Sequence, residues 1–102
     1  MIIVRHSDLS ISVQGHAGYA DVGKDIVCAG VSTAVNYLMQ TVQSRKWTRA
    51  GVVVEGDFVL ICLKPWIFKV KEARRIVKDF VAVCANIAKE HPDNIIVMEV
   101  VR

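Results

Sequence analysis

The run LSISVQGH, residues 9–16, leads through a glycine-rich stretch into DIVCAGVSTAVNYLMQTVQ, residues 25–43, and between the two the hydrophobic period changes from two to about 3.6. In the first run Leu9, Ile11 and Val13 alternate with Ser10, Ser12 and Gln14, which predicts a strand with one apolar and one polar face. His16 continues the polar parity, so it is expected on the outward side at the strand's end. In the second run Ile26, Val27, Ala29, Val31, Ala34, Val35, Leu38, Met39 and Val42 form a broad apolar surface, predicting a mostly buried helix. Asp25 stands three residues before Cys28, where a capping carboxylate accepts a hydrogen bond from the Cys28 amide.

Working outward, residues 2–5 read as a strand joined to 9–16 by a turn at Ser7-Asp8, and residues 44–50 as a polar, basic connection. Residues 52–55 and 58–63 flank Gly56-Asp57, a two-residue hairpin signal. Phe58, Leu60 and Cys62 share one face of the second of these strands and Val59, Ile61 and Leu63 the other. A strand apolar on both faces is expected to be central and doubly covered, or to meet another subunit. After a break at Pro65, residues 68–89 read as an amphipathic helix with Ala73, Ile76, Val77, Phe80, Cys84 and Ile87 inward. Pro92-Asp93-Asn94 then turns the chain into a last strand, 95–101. The order β-β-α-β-β-α-β predicts a single compact α+β domain over residues 1–102, with two helices packed on a mixed or antiparallel sheet.

At 102 residues and 53% hydrophobic content, the chain can bury a core without staples. Thirteen basic against ten acidic residues give a net charge of +3; distributed along the chain, they fall short of a nucleic-acid footprint, so no direct nucleic-acid partner is expected. Three cysteines at wide spacing, without a CxxC, argue against a disulfide framework or a zinc site and for a reducing, cytoplasmic setting. The N-terminus is polar too early for a signal peptide, and no apolar run reaches a membrane span's length. Neither a cofactor nor a metal is expected.

The chemistry concentrates between Gly15 and Ser32. A cysteine in the first turn of a helix lies at the positive end of the helix dipole, which favours a thiolate, and a histidine brought beside it can act as general base and then proton donor. The ordinary reading of Cys28 is a small buried residue, and of His16 a solvated loop histidine. Cys62 and Cys84 read as inert core residues, and His6 and His91 as ordinary turn or helix-end residues. Asp25 reads as a cap rather than a third catalytic member, and Ser32, one turn beyond Cys28, either hydrogen-bonds near the thiol or back-bonds within the helix. Two weaker patterns fail on context. Gly18 to Lys24 imitates a phosphate-binding loop, but Asp25 replaces the required Ser or Thr. Gly15-His16-Ala17-Gly18 fits the GxxG of RNA-binding KH domains, but it follows a strand.

The same residues, with GHA at 15–17, GxDIVCA at 23–29 and VS at 31–32, resemble the ribosomal-processing cysteine proteases of bacteria. The resemblance is tight over 15–32 and loose over the whole chain, whose length also fits. It implies an endopeptidase that removes the N-terminal extension, containing consecutive phenylalanines, of a large-subunit ribosomal protein. It further implies His16 and Cys28 as the catalytic pair, a site role for Ser32, and a homodimer. In the mechanism expected for such a pair, amides of the glycine loop or helix start hold the oxyanion. Residues 17–24 act as a lid, with Gly15, Gly18, Tyr19 and Gly23 in the substrate loop. Tyr19, Trp47 and Trp66 are candidates for apolar substrate pockets, with ordinary packing as their other reading. The alternatives are a noncatalytic ribosome-associated binding protein in which Cys28 is structural, and a redox sensor pairing Cys28 with Cys62 or Cys84.

Overall fold

The computed structural model describes residues 1–16, 18, 20 and 25–100. Its elements are β1 (Ile2–His6), β2 (Ser10–Gln14), α1 (Ile26–Ser44), β3 (Thr48–Glu55), β4 (Phe58–Leu63), a 3-10 turn (Pro65–Lys69), α2 (Lys71–Glu90) and β5 (Ile95–Glu99). The strands form one sheet in the order β3-β4-β2-β1-β5, antiparallel except for the β1–β5 pair, so the sheet is mixed as one of the expected alternatives.

This order follows from the connections. The hairpins β1–β2 and β3–β4 form locally, and β4 then pairs with β2, matching Val13 to Val59 and Ile11 to Ile61. Each helix crosses over between parallel strands, α1 from β2 to β3 and α2 from β4 to β5. The two crossovers start on antiparallel strands and travel to opposite edges, so the right-handed preference puts both helices on one face. That face holds the core. Ile2 and Val4, Ile11 and Val13, Ile61 and Leu63, and Ile95 are buried beneath Val27, Val31, Val35, Leu38 and Val42 of α1 and Ala73, Phe80 and Cys84 of α2.

Among the described residues, the opposite face has no helix. Ser10, Ser12 and Gln14 lie there as their alternation predicts, and beside them the second apolar row of β4, Phe58, Leu60 and Cys62, is only half-buried. The strand is therefore not doubly covered, and Cys62 is not a core residue. Both follow from the two crossovers sharing one face.

Three boundaries differ from the sequence reading. Residues 48–51 extend β3 backwards with a register shift between Thr48 and Val52, because Thr48 pairs with Leu63 while Trp47 is buried. The helix expected from residue 68 divides into the 3-10 turn, which buries Ile67, and α2, with Val70 extended between them. The strand expected over 9–16 ends at Gln14, where Gly15 takes φ +99 and a Cβ would collide with the Met1 carbonyl oxygen. His16 thus leaves the sheet rather than continuing its parity. The last strand ends at Glu99, and Val101 lies outside the described residues.

Candidate active site

Asp25 is the N-cap of α1 as expected. Its backbone is extended, its Oδ1 accepts from the Cys28 amide at 2.9 Å, and its carbonyl accepts from Ala29 at 3.0 Å. This fixes Cys28 as the third residue of the helix, in the first turn and half-buried, with its thiol at the positive end of α1. The cap also commits the Cys28 amide. Of the helix-start donors considered for an oxyanion, this one already has an acceptor.

His16 arrives from the other side. The Gly15 amide donates to the Asp57 carbonyl at 3.2 Å, tying the end of β2 to the β3–β4 turn. The imidazole is largely exposed, and its Nε2 stands 3.6 Å from Asp57 Oδ2. His16 and Cys28 line the same cleft, of about 310 Å³, walled by the start of β1, the end of β2, the first turns of α1 and the β3–β4 turn. Ser32 lies on its rim one turn after Cys28, and Val13, Val35 and Met39 supply an apolar wall.

The structure thus brings Gly15, His16, Cys28 and Ser32 together, with Asp25 behind them as the cap. Gly18 is exposed at φ +69, whereas Tyr19, Gly23 and most of the proposed lid lie outside the described residues. Neither described tryptophan lines the cleft. Trp47 is buried, and Trp66 stands beyond β4 at the other end of the sheet. Both depart from the substrate-pocket expectation: β4 runs away from the site and carries Trp66 to its far end, and Trp47, past the C-terminus of α1, accepts there from the Lys64 amide at 2.9 Å.

Sequence reasoning missed two polar side chains of the cleft, Asp57 and Asn36. Asp57 reads as a hairpin residue, and only the β2–β4 register, Gln14 opposite Phe58, sets it beside His16. Asn36 also lines the cleft. Its signal was present, since Cys28, Ser32 and Asn36 repeat every four residues along one side of α1.

The three cysteines are thiols. Cys84 is fully buried, and desolvation pushes its pKa up to about 11, so it is inert as expected. Cys62 lies on the uncovered sheet face, with the sheet between it and the helix layer that holds Cys28 and Cys84. That placement removes the geometric basis for a redox pair with Cys62. Among the described residues, no helix is long and apolar enough to cross a membrane.

The model of a family described as cysteine protease Prp matches residues 2–96. Comparison with curated proteins gives no match. Among solved structures, the S. aureus essential ribosomal processing protease Prp with a covalently linked product peptide is similar at TM-score 0.86 and 22% identity, covering 98% of this chain and 100% of that one. The same S. aureus protease with a substrate peptide gives TM-score 0.79 and 21% identity over 98% and 100%. SMU.848 from Streptococcus mutans gives 0.75 and 21% over 99% and 93%.

Proposed function

The chain belongs to the cysteine protease Prp family, and from that footing we propose that it cleaves a peptide bond in a ribosomal precursor with Cys28 as nucleophile and His16 as its acid–base partner. The observation that carries the reading is that both side chains line one cleft at the start of α1. His16 takes the thiol proton, and Cys28 Sγ bonds to the scissile carbonyl carbon. The tetrahedral intermediate then collapses, the C–N bond breaks, and His16 returns the proton to the departing amine. Water, deprotonated by the same imidazole, hydrolyses the thioester and regenerates the thiol. The Asp57 carboxylate, 3.6 Å from Nε2 and beyond hydrogen-bond length, acts electrostatically to favour the Nε2–H tautomer, which leaves Nδ1 as the base, so Asp57 is a positioning residue. Because the Cys28 amide is engaged by Asp25, the proposed oxyanion donors are amides of the glycine loop.

The substrate is the N-terminal extension of a large-subunit ribosomal protein. Support comes from the resemblance over Gly15 to Ser32 and from the similar S. aureus structures, which hold substrate and product peptides. The apolar wall formed by Val13, Val35 and Met39 suits a hydrophobic side chain beside the scissile bond. Such a protein works in the cytoplasm, and the half-buried row Phe58, Leu60 and Cys62 is the surface proposed for a homodimer. Membership of a protease family displaces the noncatalytic alternative.

The test is cleavage of a peptide spanning that extension, read by mass spectrometry. A single cut by the wild type, lost in Cys28→Ala and His16→Ala, is expected. A cut that persists in Cys28→Ala, or an intact peptide with wild-type enzyme, overturns the assignment.

A further inference from the structure

Averaged over the chain, the net charge is only +3, but the positive charge is concentrated in one segment. Residues 64–78 carry six of the thirteen basic residues, Lys64, Lys69, Lys71, Arg74, Arg75 and Lys78, against one acidic residue, Glu72. The remaining residues hold seven basic and nine acidic side chains (13 − 6 and 10 − 1), so the rest of the molecule is net negative. Glu72 is itself engaged by Arg45, whose Nε lies 3.1 Å from Glu72 Oε1. Asp79, next in sequence, lies in the groove between α1 and α2.

Two aromatic rings stand within this basic surface. Trp66 is 51% and Phe68 44% exposed on the 3-10 turn, large fractions for such side chains. Lys64 Nζ lies 5.9 Å from the Trp66 ring centre, and Lys69 Nζ 5.7 Å from that of Phe68. Arg74 Nη1 donates to the Phe68 carbonyl at 3.2 Å, and Phe68, Arg74 and Lys78 line one cleft, so turn and helix form a continuous surface. Asp8 and Glu99 stand on the other side of that cleft, which confines an anionic ligand to the side formed by the turn and α2.

We propose that the 3-10 turn and the first two turns of α2 form a docking surface for single-stranded nucleic acid. Exposed rings flanked by flexible cations are what such a strand needs. Bases stack on any aromatic face, and lysine and arginine follow the phosphates without reading sequence. Nothing in the set recognises a sugar, so RNA and DNA bind alike. The surface lies at the end of the sheet opposite Cys28 and does not rest on the protease assignment. It revises the composition-level expectation of no nucleic-acid partner, because charge averaged over the sequence does not register that these cations share one end of the molecule.

The test is fluorescence anisotropy with labelled 12-nucleotide single-stranded RNA and DNA, and parallel sedimentation with anionic phospholipid vesicles. Binding to both strands is expected, weakening about fiftyfold between about 50 and 200 mM KCl for roughly four neutralised phosphates. Trp66→Ala is expected to weaken binding about tenfold with the salt slope kept. The exposed double substitution Lys71→Gln/Arg75→Gln is expected to lower the slope by about 1.4, and its fold is checked by circular dichroism. No oligonucleotide binding at low salt, binding indifferent to these substitutions, or binding to vesicles alone overturns the proposal.

Discussion

At the residue scale, His16, Asp57 and Cys84 carry separate predictions. The His16–Asp57 contact is solvent-exposed, and exposed pairs contribute about 0.2–1 kcal/mol. Asp57→Asn is therefore expected to lower kcat/KM on the precursor peptide by about 1.4- to fivefold. Asp57→Glu should restore it, and proton–nitrogen correlation spectra should show the Nε2–H tautomer of His16 weakening in the Asn variant. A full-rate Asp57→Asn enzyme with an unchanged tautomer would remove the positioning role while leaving the dyad intact. Cys84 answers a different measurement. Its folded pKa, about 11, lies above the ordinary 9.0, so above pH 9 the unfolded chain loses a proton that the folded chain keeps. Stability from this group is complete below pH 9 and falls as pH rises toward 11, by roughly 3 kcal/mol. Urea titrations across this range should show the decline in the wild type and a shallower one in Cys84→Ala.

At the element scale, the start of α1 is where fold and chemistry meet. The Asp25 cap satisfies an otherwise orphaned amide and fixes which residue occupies the first turn. Asp25→Ala should cost about 1 kcal/mol in urea unfolding, and Asp25→Asn far less, because an amide oxygen still accepts the bond. Peptidase activity in Asp25→Ala separates the cap's two consequences. A loss larger than the stability change explains would mean that the bond to the Cys28 amide orients the nucleophile. At the other end of β2, Gly15 is fixed by shape: its φ of +99 and the nearby Met1 carbonyl turn the chain out of the sheet and aim His16 toward the cleft.

At the scale of the whole molecule, the two crossovers leave one sheet face without helices among the described residues, and β4 places Phe58, Leu60 and Cys62 on it beside the exposed Val53. Burial of this face by a second copy is the expected outcome in solution. Light scattering at micromolar concentration should report twice the 11.3 kDa chain mass, and Leu60→Glu should return it to the monomer. A wild-type monomer would leave that face to solvent. The strands also set the molecule's two ends apart, with the cleft of His16 and Cys28 at one and the basic aromatic surface at the other.

The sequence by itself determined the order of elements, the single domain, the cap on α1 and the candidate pair His16 and Cys28. Hydrophobic period, capping chemistry and a local motif are all written within a few neighbouring residues. Only the tertiary structure decided that Asp57 stands beside His16 and that Trp66 is remote from the cleft. It alone left one face of β4 uncovered and set Arg74 and Lys78 on the same cleft as Phe68. Each of these depends on which strands pair and on which face the helices lie, and those are set by contacts between residues far apart in the chain, where local pattern carries no information.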